Sequence, residues 1–349
     1  MKIAIGTNIQ EGPWGGGNAF AKNLSSFLKA SGHEVVYKLQ DKDIDIILLT
    51  EPRKLSETSS FNHKDIKDYL NVVNNNAIVF HRINECDQRK GTNYINDYQI
   101  NSNTVADVTI FVSEWLKDLY LKEGLRKEKL HTIKAGANRE FFNPKNLKVW
   151  NEKEKLKIVT HHWGTNKNKG YEIYEYIDQL ISTEPWKDTI EFTFIGNLPK
   201  NYNLSNSNIL KPLYGVELAD ELKKNHLYIT GSIFEPSGNH HIEAGQCGLP
   251  ILYIKSGGTS EYCDGFGIPY TKDNLEEKII LFMKNSSKYY GNMKTYPNDS
   301  KIMSKEFLEL FNFYIESKKE IIYKRVNHDI NIFRKQYLTL KLNIRSLFQ

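Results

Sequence analysis

Glu235 and Glu243 stand eight positions apart on either side of a Pro236-Ser237-Gly238 turn. Ionised carboxylates only accept hydrogen bonds, so a pair of them suits a ligand rich in hydroxyl groups. Between the two, the backbone N–H groups of Gly238, Asn239 and His240 fall at a helix start. Free amides and the helix dipole there favour an anion such as a diphosphate. Two acceptor carboxylates beside an anion cradle describe a ligand with hydroxyls at one end and phosphate in the middle, which is a nucleotide sugar. An isolated Glu pair is usually a solvated surface, because Glu is rarely buried. The surroundings must decide.

Those surroundings read as strand, turn, helix, strand. The apolar run 226–230 is a buried strand, 239–247 suits a short helix, and 249–254 is a second buried strand. Glu235 then sits in a loop past the carboxyl end of a strand, and Glu243 about one turn into the helix. In an open parallel sheet that rim is where ligands bind. The first half of the chain alternates in the same way, with strands at 2–6, 33–37, 45–49, 77–83, 108–112 and 130–133. Phe20, Leu24, Phe27 and Leu28 give the helix at 18–31 its apolar face, and Ser113 is a natural N-cap for a helix at 115–121. The polar segment 143–155, with Pro144, reads as a linker. Beyond it come a strand at 156–161, a helix at 171–181, a strand at 190–195 and a helix at 216–223. The alternation predicts an α/β protein of two domains, each a parallel sheet covered on both faces.

The run Glu243-Ala-Gly-Gln-Cys-Gly-Leu-Pro-Ile, followed by Gly257-Gly258 and Glu261, extends the pattern that Glu235 begins. It resembles the donor-site signature of glycosyltransferase family 4, the retaining enzymes of GT-B fold: a Glu, seven residues, a second Glu, then Ala-x-x-x-Gly-x-Pro. Every position of that signature is matched. The resemblance implies an N-terminal Rossmann-like acceptor domain at 1–145 and a nucleotide-sugar donor domain at 155–300. A crossover helix and basic amphipathic tail at 301–349 would return the chain to the first domain.

The resemblance also assigns roles. Glu235 takes the donor-sugar hydroxyls and Glu243 the ribose. Lys169, in Lys167-Asn-Lys-Gly170, neutralises the diphosphate with the amides of Gly238, Asn239 and His240 and with Ser237 beside them. His81 lies beside the donor sugar, so Glu235, Lys169 and His81 are the catalytic candidates. Gly16 and Gly17, in the loop Glu11-Gly-Pro-Trp-Gly-Gly-Gly-Asn18, approach the donor phosphates and the acceptor, and Asn197 lies near the base. The family usually carries an arginine five or six residues before the lysine, where this chain has Trp163 and Gly164. Lys167 or a loop elsewhere must compensate. The cluster Arg82, Glu85, Asp87 and Arg89, read from its own residues, orients acceptor hydroxyls or an acidic acceptor, or pairs with itself.

The donor expected is a UDP- or GDP-linked sugar, with no resident cofactor and no metal. Asp43-x-Asp45 leads into a strand and reads as structural, while His240 and His241, adjacent on a helix, point apart. The acceptor is a hydroxyl of a glycan, a lipid-linked molecule or a small molecule. A GT-B epimerase or phosphorylase, or a non-catalytic nucleotide- or glycan-binding protein, is the alternative reading.

Charge excludes one class. Of the net +5 carried by 349 residues, the stretch 318–349 holds an excess of +6, with eight Lys or Arg against two acidic residues. The remainder carries 39 basic against 40 acidic residues, so the body is neutral and no nucleic acid is expected as a partner. No apolar run reaches membrane-spanning length. Three cysteines without metal-ligand spacing suit reduced thiols in a cytoplasmic protein. In the tail, Ile322, Val326, Ile330, Phe333, Tyr337, Leu340, Ile344 and Leu347 recur at helical spacing among basic residues. That pattern suits packing on the first domain or on a second subunit, or peripheral contact with an anionic inner membrane face.

Overall fold

The short Val-, Ile- and Leu-rich runs of each half are buried on both faces, which is the pattern of parallel strands covered by helices on either side. In the computed structural model, which describes residues 1–12, 14–325, 335–337 and 339–340, they assemble into two separate sheets. The first contains β1 (Lys2–Ile5), β2 (Glu34–Val36), β3 (Ile46–Leu49), β4 (Ile78–Ile83), β5 (Val108–Phe111) and β6 (Leu130–Thr132) in the order β2-β1-β3-β4-β5-β6. The second contains β7 (Leu156–His162), β8 (Ile190–Gly196), β9 (Asn208–Leu210), β10 (Leu227–Thr230), β11 (Ile251–Tyr253) and β12 (Gly267–Pro269) in the order β12-β11-β10-β7-β8-β9. Every pairing is parallel.

Both orders reverse direction once, between β1 and β3 in the first sheet and between β7 and β10 in the second. At such a reversal the connecting helices leave to opposite faces, and a crevice opens at the carboxyl ends of the strands. The two crevices face each other.

The first sheet is covered by α1 (Gly15–Ala30), α2 (His63–Val72), α3 (Asp87–Lys90), α4 (Ile95–Ser102) and α5 (Glu114–Lys122). The second carries α6 (Tyr171–Leu180), α7 (Gly215–Leu222), α8 (Asn239–Gln246), α9 (Thr259–Cys263) and α10 (Leu275–Met293). Then α11 (Ser300–Glu316) and α12 (Lys318–Lys324) return to the first domain. On α11, Met303, Phe307, Phe311 and Tyr314 are buried in the same cluster as Ile3, Phe20 and Phe80. The Phe80 and Phe311 rings meet edge to face at 4.8 Å. Just after α12, Arg325 donates to Asp107 and to the carbonyls of Asn75 and Ala77, pinning the chain beside β4. One continuous helix would carry the register straight on, but the backbone breaks at Ser317 between α11 and α12.

Trp150, inside the polar segment read as a linker, is buried against Phe282 of α10. Asp43 pairs with Lys2, and Asp45 accepts from the Lys2 amide, so both acidic residues hold the start of β1. Cys86, Cys247 and Cys263 are free and buried. No helix among the described residues is long and apolar enough to cross a membrane. Of the amphipathic tail stripe, Val326, Ile330, Phe333, Ile344 and Leu347 lie outside the described residues, while Tyr337 and Leu340 are exposed.

Candidate functional site

A cleft of about 910 Å³ runs between the carboxyl ends of the two sheets. Its second-domain wall is built on the β7 and β10 ends. Beyond β10 the chain must turn sharply to start α8, and Gly238 takes a left-handed φ of +75°. A β-carbon there would fall 2.2 Å from His241 and 2.9 Å from the Glu235 side chain, so this corner belongs to glycine. Phe234, immediately before Glu235, also has a positive φ of 54°, a strained conformation for an aromatic residue. The strain is held by the Ser256 hydroxyl, which bonds the Phe234 amide, and by the Gly258 amide, which donates to the Glu235 carbonyl.

Glu235 is only 8% exposed and sits between two cations. Lys169 Nζ is 3.0 Å from its Oε2, and Arg89 Nε donates to the same oxygen at 2.9 Å. Burial alone would raise this carboxyl's pKa; Lys169 and Arg89 outweigh it and hold the group at about 2. The amine feels the converse. Burial drives Lys169 down, Glu235 pulls it up, Arg89 lowers it again, and the pKa settles at about 8. The cluster therefore keeps one carboxylate ionised and leaves its amine able to titrate near neutrality.

Glu243, further along α8, lines the same wall, with its Oε2 2.9 Å from Nε2 of His161 at the end of β7. His240 turns its Nε2 to the Thr230 hydroxyl at 2.9 Å. The His240 and His241 rings lie edge to face with centroids 4.9 Å apart rather than pointing away from each other. No group of three or more metal-ligating side chains forms among the described residues. Ser237, Gly238 and Asn239 complete this wall.

On the first-domain wall, α1 begins at Gly15, so Gly16 and Gly17 lie in its first turn rather than in the preceding loop. That turn has no side-chain cap and no acidic residue, leaving its amides facing the cleft. A β-carbon on Gly16 would fall 2.7 Å from the Asn239 side chain, so the two helix starts approach across the cleft. Arg89 arrives on α3, whose carboxyl end is strapped to the second domain. Asn168 donates to the Gln88 and Arg89 carbonyls, and Asn166 to the Lys90 carbonyl.

Two expected residues are elsewhere. His81 lies within β4, is 0% exposed, and does not line the cleft. Its Nδ1 is 3.0 Å from the Asn103 amide nitrogen, and burial pushes its pKa to about 3. It is a neutral core histidine. Asn197 also lies off the cleft, donating to the Trp163 carbonyl at 2.8 Å and so bracing the loop after β7; its neighbours Ile195 and Gly196 line the cleft instead. Of the polar cluster after β4, Asp87 accepts from the Tyr94, Ile95 and Asn96 amides at the start of α4. Glu85 pairs with Arg53 and Lys90. His161 is an addition to the site and carries no motif of its own, while Arg89, from the polar cluster after β4, reaches across the domains to Glu235.

No family model and no curated relative matches the sequence. Solved structures do. HepE of Anabaena in complex with UDP matches with a TM-score of 0.67 at 14% identity, over 90% of this chain and 100% of that one. Sucrose-phosphate synthase from Thermosynechococcus elongatus matches with a TM-score of 0.63 at 13% identity, over 90% and 99%. A glycosyltransferase from Rickettsia africae gives 0.64 at 14%, over 93% and 99%. The fold is GT-B. A GT-B chain brings two sheet rims face to face, and here that places the acidic side chains of one rim opposite the helix start of the other.

Proposed function

We propose that this protein is a retaining glycosyltransferase that moves a sugar from a nucleotide-diphosphate sugar to an acceptor hydroxyl. The observation that carries the reading is the buried Glu235–Lys169–Arg89 cluster at the foot of α8, with Glu243 farther along the same helix. Support also comes from the fold's neighbours, since HepE structures hold UDP, UDP with glucose, and UDP-glucose. UDP is accordingly the first base to test.

In this reading Glu243 accepts from the ribose hydroxyls, with His161 fixing its carboxylate. The α8 amides, Ser237, Lys169 and Arg89 meet the diphosphate, and Arg89 supplies from the first domain the charge absent at Trp163 and Gly164. As the sugar–phosphate bond breaks, negative charge grows on the departing diphosphate. Cations already fixed in a water-poor site stabilise it without reorganising. Glu235, held ionised, accepts from donor-sugar hydroxyls and orients the ring. The acceptor hydroxyl attacks from the face the diphosphate leaves, passing its proton to a departing phosphate oxygen, so configuration is retained. His81 has no part in this.

Incubating the protein with a panel of nucleotide sugars and hydroxyl acceptors, and following nucleoside diphosphate release, tests the proposal. Release coupled to an α-linked product from an α-linked donor, seen by NMR, supports it. Interconversion of the sugar nucleotide without acceptor would identify an epimerase, and tight binding without turnover a binding protein. Either result would overturn it.

A further inference from the structure

Arg82 is 4% exposed, yet it lines the cleft from the first-domain side. Its guanidinium carbon sits 3.9 Å from the ring centroid of Phe20 on α1, and its Nε is buried without a hydrogen-bond partner. Other arginines show what is missing: Arg53 is paired with Glu51 and Glu85, Arg89 with Glu235, and Arg325 with Asp107. No carboxylate among the described residues forms an ion pair with Arg82. Burial lowers its pKa to about 10, so the charge persists at neutral pH.

A buried guanidinium without an anion is costly to the fold, because its lost hydration is not replaced. Here the Phe20 ring fixes the plane of a guanidinium whose residue lines the cleft, and a fixed planar fork suits two-pronged binding of an oxyanion. The second-domain cluster already gathers Lys169, Arg89 and the α8 amides for the donor. Arg82 is on the opposite wall, under α1, whose first turn adds open amides of the same electrostatic sign. We infer that the acceptor is a sugar or polyol bearing a phosphate or carboxylate, and that Arg82 binds this anion. The inference rests on the sugar-transfer reading and names the acceptor class within it.

The test is isothermal titration of the full chain, saturated with UDP, against glucose, glucose 6-phosphate and glucuronate. At least one charged sugar should bind about tenfold or more tightly than glucose, the two charged arms separating phosphate from carboxylate. Arg82→Met should reduce the charged sugars to the level of glucose while leaving UDP affinity within about twofold. Arg82→Lys, which keeps the charge but not the fork, should lose part of the preference and serves if the methionine variant does not fold. Equal binding of all three sugars by the wild type overturns the inference, as does an unchanged preference in Arg82→Met. So does a tenfold fall in UDP affinity in that variant, which would place the guanidinium at the donor instead. Failure of the wild type to bind UDP would count against sugar transfer itself. The charged-sugar titrations, run without UDP, would still report on Arg82.

Discussion

Raising the pH should weaken donor binding through a single amine. The Lys169 ammonium is buried 3.0 Å from Glu235, and its pKa is lowered from the usual lysine value to about 8. The sign follows from which form the ligand needs. A diphosphate is met by the ammonium and not by the neutral amine, so the ligand-bound amine keeps its proton to higher pH than the free one. Affinity then tracks the charged fraction of the free protein. That fraction is about nine-tenths near pH 7 and roughly a tenth near pH 9. Affinity for UDP should therefore fall about tenfold across that interval, or ~1.4 kcal/mol, and be flat on this group's account below about pH 7. A guanidinium stays charged throughout, so Lys169→Arg should bind more weakly overall but without this fall. Titration calorimetry of both proteins with UDP at each pH is the assay, and their ratio cancels the ionisation of UDP itself. Parallel profiles for the two proteins would refute the assignment of Lys169 to the diphosphate.

Glu243→Ala should raise the donor KM about tenfold or more with a smaller effect on kcat, since it removes one charge-assisted contact to the ribose; steady-state kinetics showing an unchanged KM would remove that role. Arg89→Gln leaves Glu235 buried with Lys169 alone, and urea unfolding should report a loss of roughly 1–3 kcal/mol beside a turnover fall of about tenfold. Lowered stability with unaltered turnover would reduce Arg89 to an interdomain strap. Phe311→Ala empties a site packed by Phe80 and Phe307 and should cost ~3–5 kcal/mol in urea unfolding. A loss under about 1 kcal/mol would show that α11 is not part of the first domain's core.

The sheets were legible because parallel strands covered on both faces leave continuous apolar runs, as at Ile46–Leu49 and Leu227–Thr230. Helices with mixed faces were not: α4 (Ile95–Ser102) buries Asn96 and Gln99 as well as Ile95, so no apolar stripe marks it. The α8 wall was legible because its residues are close in sequence and the turn glycines fix their geometry. His81 was misplaced by its register. One residue decides whether a side chain near a strand end faces the rim or the interior, and His81 is in the interior while its neighbour Arg82 lines the cleft. That same alternation makes Arg82 a buried cation at the cleft, a burial no single-sequence pattern could disclose.

The arginine absent before Lys169 shows how such a site can be assembled across domains. Arg89 is 146 positions from Glu235, and its charge reaches the second domain only because α3 is strapped there by Asn166 and Asn168. A phosphate-binding charge carried on the facing domain has a consequence that one carried on the loop itself lacks. It is present only while the cleft is closed. Were the domains to part, Glu235 would keep Lys169 and lose Arg89, and the transition-state stabilisation would drop with it. In the proposed reaction, closure and electrostatic complementarity to the departing diphosphate would be one event, which would limit wasteful cleavage of the donor by water in an open cleft. Asn166→Ala and Asn168→Ala together should thus slow donor hydrolysis and transfer alike, leaving the ratio of free sugar to glycosylated product unchanged. A rising ratio, with hydrolysis persisting while transfer falls, would separate closure from charge and sink this coupling.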